Sequence, residues 1–514
     1  MRSALIYNLS GELDDISHLF PNERLGRIAS ILQGHGIPAT IIDQANHHDL
    51  QRLGPEYLKS LGELEFGGTN SQHAAVVAAE AKAILTRGVD TIFLNLWHGA
   101  GFTFSIALAQ HLRSLAPELT IIGVRQKVDW FKAHILRLAP GALDGLITGL
   151  GYDAVDFLAK GGAPANCPNI IWAATEPPRE NRSAPLDVET FPLASYTADI
   201  YTNITEKVPL HTITLSNQAC PNRCVFCIRP ENYGRINVKR DIQSVLQELR
   251  SLRHDHGIRH VRVEDSTPPA GALTELATAI LGSDLRGDMA FSAFARMDTN
   301  RDEDFSLLHE AGFLALFLGI ESLDDSNLKR IRKGIRYEDI CRTLRAAHAA
   351  GLKTVGSFIF PLPGETEKTM QTTLCRLREI RGDLDSLLVL PAGIYPDTPW
   401  GDAPEDHGVF LEENFVEAFI TYPLKYLQPI HLWPPVPFTY SIMGRPAKDV
   451  PFTDILKLYA EFTEVARQEL GLPAVPDYYY LLADMMGMPP TDATRKLIQL
   501  MVARDYAGIR NCFR

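Results

Sequence analysis

Three cysteines fall within eight residues, in the segment Cys220-Pro221-Asn222-Arg223-Cys224-Val225-Phe226-Cys227. Thiolates are soft metal ligands, and three on one short loop reach three corners of a four-iron, four-sulfur cubane. The fourth iron then has no protein ligand and is free to take a chelating small molecule. A structural zinc site asks for four ligands, commonly two pairs at Cys-x2-Cys spacing. No fourth cysteine or paired histidine stands at zinc-finger spacing, so zinc is the runner-up reading of the same loop. The other four cysteines are scattered. Cys341 and Cys375 sit among apolar residues at helical spacing and read as packed thiols, and Cys512 reads as a tail thiol. This usage is not the evenly spread set of a secreted disulfide scaffold, and it suits the reducing cytoplasm.

The elements that must position this loop alternate between strand and helix. A chain of 514 residues has room for about three domains. The formal net charge of −12 makes nucleic acid a poor partner, because wrapping it needs a basic face. No apolar run reaches the ~20 residues that a membrane span requires. Met1–Ser10 reads as a first strand rather than a signal peptide. Residues 1–160 predict strands over 3–9, 38–42, 91–96, 119–123 and 143–148, with helices between them, and hence a doubly wound parallel sheet. Ligands of such sheets bind at the carboxyl ends of the strands. Here those ends are the loops near 8–11, 95–101, 124–127 and 149–152. Residues 161–205 carry Gly161-Gly162, Pro164, Pro168, Pro177-Pro178 and Pro185, and read as a linker. From 206 the alternation restarts, with strands over 211–215, 260–264, 289–295, 314–320, 354–360 and 386–391. The cysteine loop follows the first of these six. Residues 401–514 break the pattern and form a third, mostly helical region.

The order of motifs in 206–400 resembles the radical S-adenosylmethionine (SAM) superfamily, which builds a partial (β/α)6 barrel. Besides the cysteines, Phe226 matches the aromatic whose backbone meets the adenine. Glu264 ends the second strand, where relatives face the SAM amino group. Ser292 and Arg296 stand where relatives place ribose and carboxylate contacts. Gly319-Ile320-Glu321-Ser322 matches a recurrent signature, and Glu321 is its acidic member. Gly356 lies on the fifth strand, which leads into Pro361-Leu362-Pro363-Gly364-Glu365-Thr366, close to a familiar turn with Pro361 replacing a glycine. The resemblance implies a [4Fe–4S] cluster on Cys220, Cys224 and Cys227, SAM on its open iron, and a low-potential electron donor such as flavodoxin or ferredoxin. A catalytic acid or base is not implied.

Residues 1–160 resemble the Rossmann-like cobalamin-binding domain of the cobalamin-dependent radical SAM family. There is no Asp-x-His-x-x-Gly, so the resemblance implies a binder without a histidine ligand to cobalt. The corresponding contacts would come from Asn95, His98, Gly123, Val124, Gly149 and Gly151. Two loops depart from the family pattern: Gly123-Val124-Arg125-Gln126, where relatives carry Gly-Gly-Pro-His, and Gly149-Leu150-Gly151-Tyr152, where they carry Gly-Glu-Gly-Glu. The architecture implies a methyltransferase acting on an unactivated carbon of a small-molecule or peptide-derived substrate. A ring-forming, rearranging or oxidising enzyme of the same architecture stays open, as does a non-catalytic sensor. A methylthiotransferase is disfavoured, because its N-terminal domain would bring three more clustered cysteines. The stretches 416–445 and 473–489, rich in aromatics, proline and methionine, read first as core and second as a surface that selects an apolar or aromatic substrate.

Overall fold

The computed structural model describes residues 1–10, 16–44, 71–97, 99–174, 179–180, 188, 192–420, 436–503 and 505–513. His98, Tyr422, Tyr426 and Trp433 lie outside the described residues. The chain divides into two compact units: Met1–Val208 with a segment returning at Asn414, and Pro209–Glu413 with the C-terminal segment.

The first unit is a seven-stranded sheet in the order β2-β1-β3-β4-β5-β6-β7. Its parallel strands are β1 (Ala4–Leu9), β2 (Ala39–Gln44), β3 (Thr91–Asn95), β4 (Thr120–Val124) and β5 (Gly145–Ile147). All are apolar runs buried on both faces, which is what helices on either side of a parallel sheet demand. Helices α1 (Glu23–Gly34), α2 (Ser71–Leu85), α3 (Gly99–Leu115), α4 (Gln126–Phe131), α5 (Ala133–Leu138) and α6 (Tyr152–Ala159) make the connections. The Asn22 side chain caps α1 by accepting from Leu25 N. Gly101 in α3 lets the helix press on the end of β1, since a Cβ there would stand 2.3 Å from the Ser10 carbonyl oxygen.

The segment 161–205 differs from the linker its prolines predict. It adds β6 (Ile170–Trp172), antiparallel to β5, and β7 (Arg179–Glu180). The apolar Ile170-Ile171-Trp172 fits between Pro168 and Pro177 and contains no proline itself, so its backbone can pair with β5 and β7. The unit also runs past 160 as far as Val208.

The second unit is a six-stranded, all-parallel sheet in simple order: β8 (Leu210–Ile213), β9 (His260–Val263), β10 (Ala290–Ala295), β11 (Phe313–Glu321), β12 (Lys353–Ile359) and β13 (Ser386–Leu390). Between them run α7 (Arg229–Tyr233), α8 (Ile242–Arg250), α9 (Ala272–Leu281), α10 (Phe305–Glu310), α11 (Asp325–Arg330), α12 (Tyr337–Ala349) and α13 (Glu367–Ile380). This is the (β/α)6 series the sequence predicts.

The region after 400 is less independent than its broken pattern predicts. It contributes the antiparallel pair β14 (Val409–Leu411) and β15 (Phe438–Tyr440), then α14 (Phe452–Glu464), α15 (Asp477–Met486), α16 (Pro490–Val502) and α17 (Tyr506–Asn511). Helix α15 packs across β9, β10, β11 and β12. Its Tyr478, Tyr479 and Tyr480 are buried, as are Phe415, Phe419, Phe438 and Tyr440, so these described aromatics serve as core. Asp477, fully buried at the start of α15, takes a bidentate ion pair from Arg262 (2.8 and 2.6 Å) and a hydrogen bond from Ser292 Oγ (2.8 Å).

Candidate active site

The cysteine loop leaves β8 at its carboxyl end and is held there by the neighbouring strand. Asp265, just past β9 and fully buried, accepts from Leu215 N at 2.7 Å and from Ser216 Oγ. Gln218 has a left-handed backbone (φ 65°) and bridges the same two strand ends. Its amide donates to the Glu264 carbonyl at 2.8 Å and accepts from Ser266 N at 2.9 Å. The loop is also pinned from other sides. Cys220 N donates to Gly234 O (3.1 Å), Val225 N to Ile331 O (3.1 Å), and Trp400 N to Val225 O (3.3 Å). Side-chain donors and backbone partners thus fix a segment with no regular structure of its own.

The three thiols line one cavity of about 170 Å³, with Asn222, Phe226, Arg229, Ser266, Thr267, Phe294, Arg296, Phe317, Gly319, Glu321 and Lys333. Cys220 Sγ lies 3.2 Å from Thr267 Oγ1 and 3.5 Å from the Asn222 amide nitrogen. Cys224 Sγ lies 3.6 Å from Arg296 Nη1. Burial, with Cys224 and Cys220 nearby, pushes the Cys227 thiol up to about 11. The protein alone therefore keeps this thiol protonated at neutral pH, and a bound cation is needed to draw out the thiolate. Among the described residues, no three His, Cys, Asp or Glu side chains converge on a point where one ion would sit. Three thiols lining one cavity suit three corners of a cubane, whose fourth iron needs no protein ligand.

The same cavity is lined by a pair of opposite charges. Lys333 Nζ and Glu321 Oε1 are 2.7 Å apart, and both side chains are almost wholly buried. Glu321 ends β11 with φ 66°, a left-handed conformation costly for a glutamate. Gly319 makes the pair possible, because a Cβ there would stand 2.9 Å from Lys333 Nζ. Arg296 is anchored by Asp298 (2.7 Å) and by the Lys333 carbonyl. Burial works against the Arg296 charge, but Cys224 and Asp298 outweigh it and raise its pKa. Phe226 packs on Trp400, with ring centroids 5.9 Å apart.

Of the residues expected to meet SAM, Phe226, Arg296 and Glu321 line this cavity, whereas Glu264, Ser292 and Gly356 do not. Ser292 is committed to Asp477, and Glu264 lies 3.7 Å from Arg262. A Cβ on Gly356 would press on Ile320 and Leu384, so its bareness serves packing. Lys333, Thr267 and Asn222 carried no motif of their own in the sequence. Lys333 belongs to a turn after α11, and only the fold carries it back to Glu321.

In the first unit, the described residues expected to meet a corrinoid, Asn95, Gly123, Val124, Gly149 and Gly151, fall at or near the carboxyl ends of the strands. Asn95 is fully buried and donates to Asn8 Oδ1, while its own Oδ1 has no partner among the described residues. Val124 is buried. Gly123 makes room for Leu146 and Leu96, so its role here is packing. Gly149 and Gly151 both have positive φ (67° and 70°), and Gly149 N donates to Asp129 at 2.7 Å. Among the described residues, no helix is long and apolar enough to cross a membrane.

Comparison with known proteins agrees with this geometry. Residues 215–376 match the model of the Radical SAM superfamily. The chain is 25% identical over 265 residues to an uncharacterized methyltransferase, PH0819, of Pyrococcus horikoshii, covering 50% of this chain and 57% of that relative. It thus spans little more than half the length of this curated relative. The structure of TsrM from Kitasatospora setae, a radical SAM methyltransferase with cobalamin and a [4Fe-4S] cluster bound, superposes with a TM-score of 0.68 at 15% identity, over 98% of this chain and 99% of that one. The cobalamin-dependent enzyme OxsB superposes with a TM-score of 0.64 at 14% identity, over 99% and 72% of the two chains. Residues 215–376 are a radical SAM domain, set in a chain that has the fold of TsrM and OxsB.

Proposed function

We propose that this chain is a cobalamin-dependent radical SAM methyltransferase, with Cys220, Cys224 and Cys227 holding a [4Fe–4S] cluster. The observation that carries the reading is one cavity lined both by the three thiols and by the buried Lys333–Glu321 pair. When bound, the cluster would supply one electron to the SAM sulfonium, and the corrinoid would carry a methyl group to an unactivated carbon of a small-molecule or peptide-derived substrate.

The chain's own residues prepare that site. SAM ends in an amino acid, so it brings an ammonium and a carboxylate side by side. Glu321 offers an acceptor for the ammonium, and Lys333 and Arg296 offer donors for the carboxylate. The Asn222 amide donates to the Cys220 sulfur and the Thr267 hydroxyl lies 3.2 Å from it, and such polar contacts tune a cluster's potential. Phe226, Phe294 and Phe317 supply apolar walls that exclude water. Corrinoid binding in the first unit is supported by the shared fold, by the positive-φ glycines after β5, and by the buried, unpartnered Asn95 acceptor among the described residues.

The test is an anaerobic preparation with cobalamin supplied. We expect visible bands of both an iron–sulfur cluster and a protein-bound corrinoid. With reductant, SAM and a substrate pool, S-adenosylhomocysteine and 5′-deoxyadenosine should both form. Absence of both products with an intact cluster would overturn the reading. A cluster that cleaves SAM in a protein that takes up no corrinoid would overturn its cobalamin half. Glu321→Gln should weaken SAM binding by about tenfold, the cost of one charged contact, while iron content stays unchanged.

A further inference from the structure

The loop that follows the cysteines returns to the surface as an exposed strap, Arg235-Ile236-Asn237-Val238-Lys239. We propose that this strap is the docking face for a small acidic protein that carries one electron. The proposal rests on the cluster reading above and adds to it the place where reducing power enters.

Rigidity is the first support. Asn217 N donates to Val238 O (3.1 Å), Val238 N to Asn217 Oδ1 (3.0 Å), and the Asn217 amide to Ile236 O (2.9 Å). Ser216 and Lys239 form an antiparallel bridge. Fixed as it is, the strap nevertheless leaves Ile236 77% exposed and Val238 37% exposed. Large aliphatic side chains held in water on an ordered backbone mark an interaction surface when polar residues rim them. Here the rim is Arg235 on one side and Lys239 on the other.

Charge is the second support. The chain's net charge is −12, yet 223–239 contains four basic residues, Arg223, Arg229, Arg235 and Lys239, against one acidic residue, Glu231. Arg235 pairs with Glu231 at 2.7 Å, and Lys239 pairs with Glu275. These side chains are about half exposed, so the pairs contribute little and can be exchanged for a partner's carboxylates. The positive area is far too small to wrap a nucleic acid, but it matches an acidic patch of similar size.

Connectivity to the sulfurs is the third. Asn237 Nδ2 donates to Thr267 O at 2.8 Å, and Thr267 Oγ1 lies 3.2 Å from Cys220 Sγ. Arg235 Nη1 donates to Asn222 O at 3.2 Å, and Cys220 N to Gly234 O at 3.1 Å. A carrier seated on Ile236 and Val238 is thus separated from a cluster ligand by one asparagine and one threonine. The carrier would lose one electron and the cluster would gain one, with no bond made or broken.

The experiment uses the reconstituted holoenzyme, with reduced flavodoxin as the acidic carrier and dithionite as a small reductant indifferent to the surface. Bleaching of the cluster absorbance is followed by stopped flow. In Lys239→Glu, and in the double variant Arg235→Glu/Lys239→Glu, the flavodoxin rate should fall by about tenfold or more at low salt. The gap should close as salt rises. Ile236→Ser should weaken flavodoxin binding, read by titration and cross-linking on the cluster-free protein. Dithionite bleaching and iron content should match the unaltered protein, which controls for damage to the cysteine loop. Equal flavodoxin rates in all variants, or cross-links elsewhere on the chain, would overturn the proposal. So would a monomer–dimer equilibrium that Ile236→Ser abolishes, which would assign the strap to a second copy. A protein that assembles no cluster would fail the function reading instead, and flavodoxin titration would still test the strap.

Discussion

Both units are parallel sheets, and both bring polar residues to the carboxyl ends of their strands, but the two edges are finished in opposite ways. In the first unit, Asn8, Asp43 and Asn95 stand in register across β1, β2 and β3 and bond to one another. Lys207 (3.0 Å), Tyr201 and Asn203 close the network around Asp43. In the second unit, the corresponding edge opens into the cavity that the three thiols line. Topology alone therefore does not make a site. A parallel sheet offers a crevice at this edge, and the side chains decide what it can take: amides and a carboxylate bonded to one another in the first unit, thiols and a buried ion pair in the second.

The largest test of that contrast is Cys224→Ala. Removing one of three ligands should abolish the iron–sulfur absorbance and lower SAM cleavage by more than about 100-fold, since losses of tenfold to 100-fold already follow from disturbing outer contacts. Thermal stability of the first unit should not change. Iron and sulfide analysis with near-ultraviolet dichroism would show it. A variant that retains full iron would mean that the three thiols are not the ligand set.

The same contrast explains what the sequence revealed. Cluster ligands crowd into one loop, so their spacing is visible without a fold. Both sheets were also legible, because strands buried on both faces read as unbroken apolar runs. The Lys333–Glu321 pair was half legible. Glu321 sits in a signature, but Lys333 reaches it only through a turn that no periodicity announces. Ser292 and Arg296 look alike on β10 as polar residues near its end. A buried aspartate on a helix some 180 residues later takes Ser292 for the barrel interior. β6 is hidden in the sequence because prolines flank it and it spans only Ile170–Trp172, yet it pairs with β5 on one side and β7 on the other.

Each unit also holds a buried carboxylate paired with a cation, Asp43 with Lys207 in the first and Asp477 with Arg262 in the second, and these two pairs should break unequally. Asp477→Ala would leave Arg262 buried with its guanidinium fork unmatched, stacked between Phe294 and Tyr478 at 4.5 and 4.8 Å. Burial opposes the Arg262 charge, and Asp477 and Glu264 are what sustain it. The expected loss is about 3–5 kcal/mol, confined to the second unit. Lys207→Met should cost less, about 2–3 kcal/mol, because the Asp43 carboxylate keeps donors from Asn8 and Tyr201. Hydrogen exchange resolved by segment would assign each loss to its unit. Equal losses would show that the residual hydrogen bonds to Asp43 carry no weight.

The smallest expected difference lies at the opposite, amino-terminal edge, where the two sheets use the same device. Asp385 precedes β13 and accepts from Thr354 N at the start of β12 (3.0 Å). Asp90 precedes β3 and accepts from Arg2 N (2.8 Å) and Ser3 N (3.5 Å) at the start of β1. Burial pushes both carboxyls up. For Asp385 the Lys353 ammonium and Thr354 N–H outweigh it, and for Asp90 the Arg2 and Thr91 donors do, so both end below the ordinary 3.8. A folded pKa below the unfolded one adds stability above about pH 4, and that stability is lost as pH falls through the folded value. Asp385→Asn should therefore cost about 1 kcal/mol at pH 7 and almost nothing near pH 3, flattening the acid limb of the stability curve. Asp90→Asn, at a more exposed clamp, should stay within about 0.5 kcal/mol. Urea unfolding at the two pH values measures both. A cost for Asp385→Asn that persists at pH 3 would mean that the clamp works through shape rather than charge.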